Sequence, residues 1–187
     1  MDPQLRARLE TFLKPLYQDV DGVSRFEEIE RIGRIARTIH QGDDRDLELL
    51  LLFHGLGRWL EKVGNLSRTL LAVSGVDEAE LRRTAASIRR LPSPVSEAER
   101  AVAAAVLIDR SGVRGLALRF AAARREGHSI LDVVRDALAE SWIPEWVPES
   151  ARESLEERIE SRRQFCRAIL DEVAMSSSRP RADTPWR

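Results

Sequence analysis

The chain of 187 residues is poor in cysteine, lysine, aromatics and net charge, and each shortage excludes something. Cys166 is its one cysteine, so no internal disulfide can form, and a cytoplasmic setting is the expectation. Lysine occurs only at Lys14 and Lys62 among thirty basic residues. We read this as high-GC coding with arginine at helix surfaces, where propensity and ion pairing explain it. A formal net charge of −1 leaves no global field to draw the chain to nucleic acid or an anionic membrane. The apolar run Leu49 to Phe53 is far short of the ~20 residues that span a bilayer. The polar start, Met1 to Gln4, reads as no signal segment. Sustained alternation of β-branched residues, the mark of strands, is missing too.

What is present is helical periodicity with its punctuation. With 43% hydrophobic and 33% charged residues, the composition is that of an ordinary folded protein. The pattern predicts nine helices. The first runs from Pro3 to Asp19, with Leu5, Leu9, Phe12, Leu13 and Leu16 on one face. Ser24 and Glu27 fit a capping box that opens the second, which carries Ile29, Ile32, Ile35, Ala36 and Ile39. A third covers Asp44 to Val63 and is apolar on nearly every side, as suits the middle of a core. A short fourth covers Leu66 to Val73. Asp77 with Glu80, and Ser96 with Glu99, open the fifth and sixth, which end near Leu91 and Asp109. Gly112 and Gly115 punctuate a seventh that continues to Arg125, and the eighth covers Ser129 to Ser141. Ser150 with Glu153 is read as the box of a last helix ending near Val173. The expected organisation is one helical domain over residues 1–175 and a flexible Ser/Pro/Arg-rich tail over 176–187.

Three segments, in order, carry a resemblance. They are Ser24 to Ile32, Leu50 to Arg58, and Ala104 to Gly115. Together they resemble the HD-domain superfamily of metal-dependent phosphohydrolases. Working members read roughly H-D-W-S-H-x-E-R-V, L-L-H-D-I-G-[KR] and D-A-D-x-L-D-A-x-G-x-x-G at these places. Ser87 to Leu91 matches a further segment that reads I-x-x-H. The resemblance spans residues 15 to 125 and implies an all-α, HD-like bundle. It also implies a divalent metal held by imidazole and carboxylate, polarising a phosphoryl oxygen and activating water.

Most of that metal set is missing. The first ligand position is Glu28, and His54 stands at the second. The Asp that should follow it is Gly55, the last ligand Asp aligns with Val106, and a helper His aligns with Leu91. The candidates for a rebuilt site are Glu28, His54 and Asp109, with Asp109 one helical turn beyond Val106. Their ordinary readings are a paired helix glutamate, a hydrogen-bonded core histidine and a turn-fixing aspartate. Arg58, Arg89 and Arg90 are candidates for holding phosphate, with Arg68, Arg82 and Arg83 nearby in sequence. Trp142 and Trp146, in an apolar loop framed by Pro144 and Pro148, are candidates for an interface. His40 and His128 read as ordinary surface or capping histidines, and Cys166 as a small packed residue.

The expectation is therefore a catalytically degenerate HD-type protein that acts as a binding or regulatory module. Its expected partner is another protein or a second copy, with neither nucleic acid nor membrane, and no cofactor is called for. The alternatives are a metal-dependent phosphohydrolase with an altered site, and a non-hydrolytic sensor of a nucleotide or other phosphate ligand.

Overall fold

A computed structural model describes residues 1–17, 25–40, 45–56 and 75–178. Every regular element among the described residues is helical. Eight α-helices are seen there, against the nine expected. The fourth expected helix, 66–73, lies outside the described residues, as do Ser24, Arg58, Arg68 and Trp186. The elements are α1 (Pro3–Leu13), α2 (Arg25–Ile39), α3 (Arg45–Phe53), α4 (Glu78–Arg90), α5 (Glu97–Ser111), α6 (Val113–Glu126), α7 (Ile130–Ala139) and α8 (Glu149–Ser178).

Two of the predicted capping boxes form, and the hydrogen bonds show why α4 and α5 start where they do. Asp77 accepts from the Glu80 N–H at 2.7 Å, and Glu80 accepts from the Asp77 N–H at 3.3 Å. Ser96 and Glu99 make the same exchange, each bond 3.2 Å long. Between them, these pairs satisfy N–H groups that a helix start would otherwise leave without a partner. Gly127 ends α6 in the left-handed region at φ 74°, where glycine carries no Cβ penalty.

Several expected boundaries need correction. α1 stops at Leu13, because Pro15 leads into a 3₁₀ turn over Lys14–Leu16. α3 stops at Phe53, and His54–Leu56 form a 3₁₀ turn, so His54 sits past the end of the apolar helix. The last helix starts at Glu149, which places Ser150 inside it and not at its cap. It also continues to Ser178, past the expected end at Val173 and into the segment expected to be a tail.

The chain forms two compact units. One comprises Met1–Leu107 and Pro144–Arg152, and the other Ile108–Ile143 and Glu153–Arg187. In the first, α3 packs against α1, α2 and α4. Its residues Leu47 to Phe53 are all buried, which accounts for a helix that is apolar nearly all round. Burying one such leucine contributes roughly 1.5–3 kcal/mol. Glu48 is the polar exception. Its carboxylate accepts two bonds from Arg37, at 2.7 and 2.8 Å, and one from Arg6 at 2.8 Å. Burial pushes this carboxyl up, but the Arg37 and Arg6 guanidinium groups outweigh it and hold the group below its ordinary value. The pairing ties α1 and α2 to α3.

The second unit has a smaller core of Leu116, Val134, Ala137 and Cys166, with Phe120 and Ile169 packed against it. α6 and α7 pack together here. The link from α5 to α6 is very tight: a Cβ at Gly115 would fall 1.7 Å from the Arg110 carbonyl oxygen. Arginines of α8 serve the carboxyl end of α7, where Arg162 donates to the Glu140 carbonyl and Arg163 to the Leu138 carbonyl.

Candidate functional site

The turn after α3 carries His54 and Gly55, the positions most important to the sequence resemblance. His54 is half-buried, and its Nδ1 donates to the Leu51 carbonyl at 2.8 Å. A carbonyl only accepts, so this bond fixes the Nδ1–H and, in the neutral ring, leaves Nε2 as the coordinating nitrogen. That is the tautomer a metal ligand would need, and equally that of a structural histidine.

Gly55 has a neighbour that the sequence did not bring forward. Tyr17, the only tyrosine, is buried and follows the 3₁₀ turn after α1. Its hydroxyl donates to the Leu52 carbonyl at 2.6 Å and accepts from the Gly55 N–H. Burial pushes the phenol above its ordinary pKa, and the Gly55 bond draws it part of the way back. The ring stands so close that a Cβ at position 55 would lie 2.7 Å from Tyr17 Cε1. Phe26 of α2 meets the same ring edge to face, with centroids 6.1 Å apart. A ring held at its tip and its edge cannot swing aside cheaply. The space an aspartate at 55 would need is therefore filled by Tyr17.

The other ligand positions have equally ordinary surroundings. Val106 and Leu91 pack against the first unit's core. Glu28 is half-buried on the first turn of α2. Asp109 belongs to the second unit, where it is buried and accepts from Arg114 at 2.5 Å. Among the described residues, no three His, Cys, Asp or Glu side chains group as a metal set.

Arg90, a candidate for holding phosphate, already has a carboxylate partner. It donates to the buried Glu99 through Nε at 3.0 Å and Nη2 at 2.5 Å. Glu99 also accepts from the Val95 and Ser96 N–H groups. Burial pushes the Glu99 carboxyl up, but Arg90, those N–H groups and the Ser87 hydroxyl outweigh it and hold the pKa at about 2. An incoming phosphate would have to displace an internal carboxylate. Arg89 is exposed on the last turn of α4. Arg82 pairs with Glu78 at 2.5 Å.

Two openings in the first unit are bounded by residues other than His54. One cavity of about 360 Å³ is bounded by His40, Asp46, Arg83, Ser87, Arg90 and Glu97. A second of about 610 Å³ is bounded by Ile39, Arg100, Glu145, Trp146, Val147 and Pro148. Both also touch His40 and Glu97, so they adjoin as one groove. Its walls are the end of α2, α4, the start of α5 and the loop before α8. Trp146 lines this groove and belongs to the first unit, whereas Trp142 belongs to the second and is 76% exposed. The two expected interface tryptophans thus sit in different settings.

The architecture has a counterpart among solved proteins. The crystal structure of Bacillus subtilis YpgQ matches with a TM-score of 0.63 at 18% identity, over 91% of this chain and 96% of that one. At that identity the likeness is one of fold. No family model matches the sequence, and no curated protein does. Among the described residues, no helix is long and apolar enough to cross a membrane.

Proposed function

We propose that this chain is a catalytically degenerate HD-type domain that works as a binding or regulatory module in the cytoplasm. The observation that carries the reading is the seating of Tyr17 against Gly55. Where working members place a metal-binding aspartate beside the histidine, this chain has a glycine and a pinned phenol ring. The substitution is matched by its neighbour, as expected of a site rebuilt for packing. Val106 and Leu91 add to the same argument, because their apolar side chains pack against the core.

The competing reading is a metal-dependent phosphohydrolase that uses Glu28, His54 and Asp109. Metal content of protein purified without chelator, measured beside a His54→Ala control, separates the two. The module reading expects no transition metal in either protein and no release of phosphate from a nucleotide panel. Near-stoichiometric metal that vanishes in the control, together with His54-dependent phosphate release, would overturn it.

A further inference from the structure

The groove between α2, α4, α5 and the Pro144–Pro148 loop lies apart from the turn at His54, and its lining is that of a site for a chain segment. Its larger lobe is lined by the apolar residues Ile39, Ala101, Val147 and Pro148 and by Trp146, together with charged groups. Such a mixture of apolar surface and a few polar groups is usual in recognition sites. Their charges show which ligands fit. In the larger lobe the charged groups are Arg100, Glu97 and Glu145. In the smaller they are Arg83, Arg90, Asp46, Glu97 and Glu99, with Arg90 already paired to Glu99. Glu97 is shared by the two lobes, so the groove as a whole has four carboxylates against three arginines. That excess disfavours a phosphate-rich ligand and favours a cationic one, most of all in the larger lobe, where Arg100 is the one arginine beside Glu97 and Glu145.

We infer that this groove docks an extended segment of a protein partner through an arginine side chain laid on Trp146 between Glu97 and Glu145. The inference rests on reading the chain as a binding module and names the site and the chemistry of the partner. Guanidinium is the cation that matches this lining. It stacks on an indole face and offers forked N–H groups to carboxylates. The apolar lining residues suit the aliphatic stem of the same side chain. Two adjoining lobes also suit an extended chain better than a compact metabolite, since backbone and neighbouring side chains can run from one into the other.

The probe is a capped pentapeptide with a central arginine held extended by a proline on each side. Binding is followed through the Trp146 indole N–H resonance in full-length protein. A second peptide carries citrulline, which keeps the shape and removes the charge. The arginine peptide is expected to shift the resonance saturably, and citrulline to weaken binding about tenfold. Glu145→Arg, at an exposed loop position, is expected to lose at least as much affinity while melting like the parent. Equal binding of the two peptides would overturn the inference. So would a groove that responds to ATP and not to arginine, or no response to any probe. The metal measurement keeps the two proposals distinguishable. If the protein lacks metal and ignores the peptides, only the groove assignment falls. If His54-dependent metal and phosphatase activity appear, the module reading falls whatever the peptides do.

Discussion

The two ends of α3 differ in what surrounds them. At the carboxyl end, Tyr17 fills the space beside Gly55, and its hydroxyl meets both Leu52 and Gly55. At the amino end, Asp46 borders an open groove with charged walls. One helix thus has a closed, internally satisfied end and an open one. In this chain the closed end is where the family resemblance would place chemistry. The difference teaches that a motif resemblance and an open surface need not coincide, and each must be argued from its own side chains.

The comparison can be broken first at Glu99, where the groove wall depends on one buried carboxylate. Glu99→Ala removes the acceptor of Arg90 and of the Val95 and Ser96 N–H groups, and should cost roughly 1–3 kcal/mol in urea unfolding at neutral pH. The pH dependence has a definite sign. The folded-state pKa is held near 2, below its ordinary 4.5. The contribution is therefore full above about pH 4.5 and is lost as the pH falls toward 2. The gap between parent and variant should narrow over that interval. A gap unchanged at pH 2.5 would show that the Glu99 charge is not what stabilises the wall.

Much of the groove's framework was legible in the chain, because local chemistry specifies it. Asp77 with Glu80, and Ser96 with Glu99, are short-range exchanges whose partners lie three residues apart, and both form as read. The burial of Leu47 and of Leu49 to Phe53 follows from composition alone. The closed end was not legible. Gly55 looks like a simple loss until Tyr17 is placed against it, and those residues are far apart in sequence. The same limit hid the fate of Arg90. A run of arginines on one helix shows charge, but only packing shows that Glu99 already holds one of them. Ser150 failed as a cap for a smaller reason: the helix begins at Glu149, just after Pro148, so the box is out of register.

The closed end gives the next test. Gly55→Ala pushes a methyl group to 2.7 Å from Tyr17 Cε1 and should destabilise by about 2 kcal/mol. In a Tyr17→Leu background the same substitution should cost much less, because the ring it meets is gone. Urea unfolding of both single variants and the double variant gives the coupling. Additive costs would show that the two residues do not share that space. Tyr17→Phe should cost roughly 1–2 kcal/mol, since it leaves the Leu52 carbonyl and the Gly55 N–H without their partner.

The smallest expected effect is the most discriminating for the open end. Arg83 is exposed on α4 and borders the smaller lobe. Arg83→Gln should leave stability within about 0.5 kcal/mol of the parent, as ordinary surface substitutions do. It removes one positive charge from a lobe in which carboxylates already outnumber arginines, so an arginine peptide should bind about twofold more tightly, and more so at low salt. If the groove were a phosphate site, the same change would leave the arginine peptide unaffected and weaken a nucleotide instead. The sign of one small shift, read on a variant that folds like the parent, thus decides which charge the open end was built to receive.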